Sequence, residues 1–72
     1  MQKGFRQVAA YECFKKGWRK QNIECFTNGT EYLVRHYQTG KTAWDSFFTD
    51  KDSANALVLK IFNQYSFHKR VF

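Results

Sequence analysis

Ile23-Glu24-Cys25-Phe26-Thr27-Asn28-Gly29-Thr30-Glu31-Tyr32-Leu33-Val34-Arg35-His36-Tyr37 is the stretch on which the fold turns. Two runs rich in β-branched and aromatic residues flank Asn28-Gly29, and both turn residues tolerate positive φ, so the stretch reads as a hairpin of strands 23–27 and 30–37. A second turn is expected at Gln38-Thr39-Gly40-Lys41, followed by a third strand over residues 42–48, which makes an antiparallel meander. Side chains alternate across a strand. With a tight turn, Ile23 and Cys25 lie opposite Val34 and Tyr32, and Trp44 and Phe48 extend that apolar face. The other face carries Glu24, Phe26, Glu31, Leu33, Arg35, Tyr37, Asp45 and Phe47, with more apolar bulk than a solvated face needs.

Downstream, Ala54, Leu57, Val58, Ile61, Phe62 and Tyr65 form an unbroken helical stripe. Thr49 or Asp50 can cap its free N–H groups, and Asp50 and Asp52 suit the positive end of the helix dipole. The spacing predicts a helix over about residues 51–65, laid on the apolar face of the meander. Upstream, Phe5, Val8, Ala9, Tyr11 and Phe14 suit a short helix over about residues 5–16, with Lys15 and Lys16 at its negative end and Gly17 as its stop. The competing strand alternation Val8, Ala10, Glu12, Phe14 is broken by Glu12, so the helix is preferred. The expected fold is therefore α+β: a three-stranded antiparallel β-meander packed against a C-terminal α-helix, with a short N-terminal helix, in the order α-β-β-β-α.

The 72 residues make one small domain with a thin core. With 43% hydrophobic and 19% aromatic residues and no proline, the chain has the composition of a folded protein. No apolar run reaches the length of a membrane span, and the N-terminus lacks a secretory pattern, so a cytoplasmic location is expected. The sequon Asn28-Gly29-Thr30 then reads as a turn, and Cys13 and Cys25 as buried reduced thiols.

The net charge of +6 is unevenly distributed. Residues 1–22 carry +5, residues 23–59 carry −2 and residues 60–72 carry +3. Lys15-Lys16-Gly17-Trp18-Arg19-Lys20 reads as a strip for phosphates, with Trp18 available to stack on a base, and Lys69 and Arg70 in the tail add to it. The alternative is a solvated charge run with Trp18 buried. On the mixed sheet face, Phe26, Leu33, Arg35, Tyr37 and Phe47 read as a protein interface or a base-stacking platform, or are covered by the N-terminal segment.

Little points to catalysis. Cys13, Cys25, His36 and His68 match no zinc-ligand spacing, and Thr39-Gly40-Lys41-Thr42 lacks the upstream glycine of a phosphate loop. A non-enzyme without metal or cofactor is expected.

The three strands and helix, with Asn28-Gly29, Thr39-Gly40-Lys41 and an acidic helix start, resemble the small N-terminal DNA-binding domain of phage tyrosine integrases over about residues 23–65. The resemblance implies an open sheet face laid in a DNA major groove, where this chain offers Arg35 and, at the turn, Lys41. The α-β-β-β-α order is also similar to that of double-stranded RNA-binding domains. In style the chain is similar to small accessory proteins of phages and mobile elements. The function expected is binding of DNA or RNA through Lys15, Lys16, Trp18, Arg19, Lys20, Lys69 and Arg70. The alternative is a phage- or mobile-element-encoded module that inhibits a host protein or defence complex in the host cytoplasm. No membrane partner is expected, and the spare apolar face leaves room for a homodimer.

Overall fold

Period-two alternation governs far more of this chain than its central hairpin. The computed structural model describes residues 4–15 and 20–72. Its elements are β1 (Arg6–Phe14), β2 (Lys20–Thr27), β3 (Tyr32–Gln38), β4 (Trp44–Phe48), α1 (Lys51–Phe62) and β5 (Phe67–Arg70). They build one five-stranded sheet in the order β4-β3-β2-β1-β5, with every neighbouring pair antiparallel. It follows that β4 and β5 run in the same direction at opposite edges, and α1 carries the chain between them. Twelve residues at ~1.5 Å each give a helix of ~18 Å. Four strand spacings of ~4.8 Å span ~19 Å, so the helix is as long as the sheet is wide.

The fold is β-β-β-β-α-β, which corrects the expected α-β-β-β-α order. Residues 6–14 form a strand, not a helix. A bulge between Gln7 and Ala9 leaves Val8 as the extra residue and switches the face on which odd-numbered residues lie. Beyond it, Ala9, Tyr11 and Cys13 turn toward α1, while Ala10, Glu12 and Phe14 lie on the other face. Glu12 therefore sits away from the core, where Lys20 pairs with it at 3.1 Å across to β2. The supposed tail also departs from expectation, because Phe67–Arg70 is the fifth strand, paired to β1. The two corrections have different causes: β1 pairs with β2 along its length through a bulge that breaks the alternation, and β5 is placed by a long-range pairing with β1 that local periodicity does not encode.

The hairpin holds with a wider loop than expected. Thr27 pairs with Tyr32 and Cys25 with Val34, a shift of two residues that preserves the face assignments of the strand residues, while Glu31, expected on the mixed face, falls in the loop. The cause is Asn28, whose Oδ1 accepts from Thr30 N at 3.0 Å and Glu31 N at 2.7 Å, closing a four-residue loop with Gly29 at φ +99°. The second turn forms as expected, with Lys41 N donating to Gln38 O and Gly40 at φ +83°. Asp50 caps α1 by accepting from Ser53 N at 3.0 Å. The helix ends at Phe62, and the chain continues in turns as Gln64 N donates to Ile61 O and Tyr65 N to Phe62 O.

Two apolar clusters lie on opposite faces of the sheet. Under α1, Cys13, Ile23 and Val34 meet Ala54, Val58 and Ile61. On the far face Phe5 covers Phe26 and Leu33, a position that the bulge gives it. At the end of the main core Tyr65 donates to Gln21 Oε1, and Gln21 Nε2 donates to His36 Nδ1. The bond to Nδ1 requires a neutral imidazole, and burial pushes the His36 pKa below 6.5.

Replacing Phe5 by Ala uncovers Phe26 and Leu33 and is expected to cost about 3 kcal/mol, whereas exposed Leu59→Ala should stay within about 0.5 kcal/mol, both read from urea unfolding. His36 also sets a pH dependence. Its folded pKa is lowered, so its contribution is complete above the unfolded value of 6.5 and is lost as the pH falls below it. The urea midpoint should therefore drop between about pH 7.5 and about pH 5.5, and His36→Gln should flatten that slope.

Candidate nucleic-acid interface

The register of β5 on β1 decides which of the chain's cations meet. Ser66 N donates to Phe14 O and Val71 N to Ala10 O, both at 2.8 Å, so the strand is tied at each end. Between these bonds His68 turns toward the helix and stacks on Phe62 with centroids 3.7 Å apart, its ring nearly perpendicular to that of Tyr11. Alternation then sends Phe67 and Lys69 to the face that α1 leaves open. There Phe67 lies opposite Phe14 and stacks on it at 4.9 Å with 21° between the rings. Phe67 is 58% exposed.

Around this aromatic pair stand three lysines from both ends of the chain. Lys20 is the register partner of Phe14 on β2, Lys69 is the partner of Glu12 on β5, and Lys15 follows Phe14 directly and is exposed. Glu12 is ion-paired to Lys20, while Lys69 and Lys15 have no ion pair among the described residues. Lys16, Trp18 and Arg19 belong to the link between β1 and β2 and lie outside the described residues. Arg70 takes the opposite face. It donates from Nε to Phe72 O at 2.7 Å and from Nη2 to Val8 O at 3.3 Å. With Lys51 it borders a cleft of about 250 Å³ between α1 and the sheet, floored by Ala9, Val34 and Val58. The tail pair thus splits: Lys69 joins the N-terminal lysines and Arg70 does not.

The other group of residues singled out in the sequence occupies the β2–β3–β4 part of the open face. Phe26 and Leu33 are buried beneath Phe5. Phe47 meets the edge of Phe5 and stays 47% exposed. Arg35 lies over Phe26 and grips Asp45 with two hydrogen bonds of 2.8 and 3.1 Å. The Arg35 guanidinium holds the Asp45 carboxyl below the usual carboxylate range, and Asp45 in turn raises Arg35. The Tyr37 hydroxyl donates to Glu24 at 3.1 Å, and burial together with that carboxylate raises its pKa. Asp45 and Glu24 are thus engaged by neighbours on adjacent strands, while Glu31 lies exposed in the loop, where Asn28 Nδ2 donates to it at 3.5 Å.

Among the described residues neither cysteine is activated as a nucleophile. Cys13 is fully enclosed and Cys25 half-buried, and burial raises both thiols, outweighing the opposite effect of Arg70 on Cys25. Both are free cysteines. Among the described residues no three His, Cys, Asp or Glu side chains gather as metal ligands, and no helix is long and apolar enough to cross a membrane. Phe14 and Phe67 are the residues that sequence reasoning missed. The signal for them was the spacing of Phe67 and Lys69 against His68 and Arg70, a two-residue alternation too short to separate from a tail. Comparison with protein-family models, curated proteins and solved structures found no match to this chain.

Proposed function

We propose that the protein binds single-stranded nucleic acid through the end of the sheet formed by β1, β2 and β5. The observation that carries this reading is the Phe14–Phe67 stack, with Phe14 half-buried and Phe67 exposed, bordered by Lys15, Lys20 and Lys69. An exposed ring offers a stacking surface to an unpaired base, whatever its identity, and lysines beside it take the flanking phosphates. A duplex presents no free base face to such a ring, so the preference is for single strands. The paired charges on β2, β3 and β4 leave the rest of the open face without a basic field, which supports contact at this end and not a groove-filling sheet. By sequence Lys16, Trp18 and Arg19 adjoin the same end and add to its chemistry.

The test is fluorescence anisotropy with short labelled DNA and RNA strands, titrated with salt. Three phosphate contacts predict a log–log salt slope of about −2, and changing Lys15, Lys20 and Lys69 together to Ala should flatten it. Phe67→Leu keeps an apolar residue but removes the stack, a loss of about 1–3 kcal/mol or roughly 5- to 150-fold in affinity. Glu12→Gln releases Lys20 from its ion pair and should tighten binding. Lys51→Ala and Lys60→Ala, on α1, should change little. Equal affinity for duplex and single strands, or unchanged binding by the triple variant, would contradict the proposal.

A further inference from the structure

The two edges of the sheet are unlike, and the difference points to a partner. β5 is four residues long and carries His68, Lys69 and Arg70, so a second β5 beside it would set cations against cations. β4, at the other edge, has no such protection. Trp44-Asp45-Ser46-Phe47-Phe48 contains no lysine and no proline, its pairing with β3 runs without a bulge, and Trp44 is 69% exposed. Its single charge, Asp45, is already held by Arg35. An edge strand presents a row of unpaired N–H and C=O groups, and one without lysine, proline or a bulge is a template for another strand.

We propose that two copies of this chain pair antiparallel through β4, with Ser46 on the two-fold axis. The sequence of the strand is self-complementary in that register. Trp44 of each copy falls opposite Phe48 of the other, on the face that bears α1. Asp45 falls opposite Phe47 of the other copy on the open face, so the two carboxylates do not confront each other. The pairing also joins the chains within residues 23–59, the segment of smallest charge at −2, and keeps the +5 and +3 segments apart. The result is a continuous ten-stranded sheet with a β5 at each outer edge. The pairing rests on the edge strand alone and does not depend on what β5 binds.

Sedimentation equilibrium of the full chain should give twice the 8.6 kDa chain mass in the micromolar range. Trp44→Lys puts a charge at an exposed position and should return the chain to 8.6 kDa with an unchanged far-UV spectrum. Lys69→Glu, at the other edge, should leave the dimer intact. Ser46→Cys should cross-link into a covalent dimer under mild oxidation, because the two residues face each other across the axis. A chain that stays monomeric at high concentration, a dimer that survives Trp44→Lys, or a Ser46→Cys variant that does not cross-link would overturn the proposal.

Discussion

His68 stacks face to face on Phe62 and lies nearly perpendicular to Tyr11, and this contact ties the last strand to both the helix and the sheet. β5 has only four residues, all exposed, and so contributes little burial of its own. Its position is held by that one ring, by the hydrogen bonds from Ser66 and Val71, and by a helix of the length needed to cross from β4 to β1. With His68 facing the helix, Phe67 and Lys69 must face the other way. The aromatic pair and the meeting of Lys69 with Lys15 and Lys20 are consequences of that docking.

A second constraint is the bulge at Val8. A domain of this size has a thin core, and here the sheet divides its apolar side chains between both faces. The bulge makes this workable. It lets Ala9, Tyr11 and Cys13 serve the helix side while Phe5 crosses to cover Phe26 and Leu33. The open face is then finished by cross-strand partners: Glu12 with Lys20, Glu24 with Tyr37, and Asp45 with Arg35. Surface pairs of this kind add little stability, but they set the electrostatic character of the face. Arg35 and Asp45 cancel each other while Glu24 keeps its charge, so β2, β3 and β4 carry no basic excess on this face, and Lys15 and Lys69, without an ion pair among the described residues, stand at the end where β5 docks.

The central hairpin, the second turn, the helix stripe and the division of β2, β3 and β4 into faces were all legible, because each rests on local period or turn chemistry. The hairpin register was off by two because the side chain of Asn28 builds a longer loop, an interaction that Asn-Gly alone does not announce. β1 was hidden twice over. Its bulge breaks the alternation at Val8, and Glu12 looks out of place until Lys20 stands beside it. β5 was hidden because four residues carry no usable period and its partners lie more than fifty positions away. For the site, the charge distribution drew attention to Lys15, Lys20 and Lys69, whereas Phe14 and Phe67 emerge only once the two strands are aligned.

The most direct test of this account is a residue-by-residue NMR titration of the labelled protein with a short single-stranded oligonucleotide. The account predicts the largest shifts at Phe14, Lys15, Lys20, Phe67 and Lys69, with Arg35, Tyr37 and Asp45 on the same face nearly unmoved. Shifts concentrated at Arg35 and Tyr37, or beside Lys51 and Arg70 on the helix side, would contradict it.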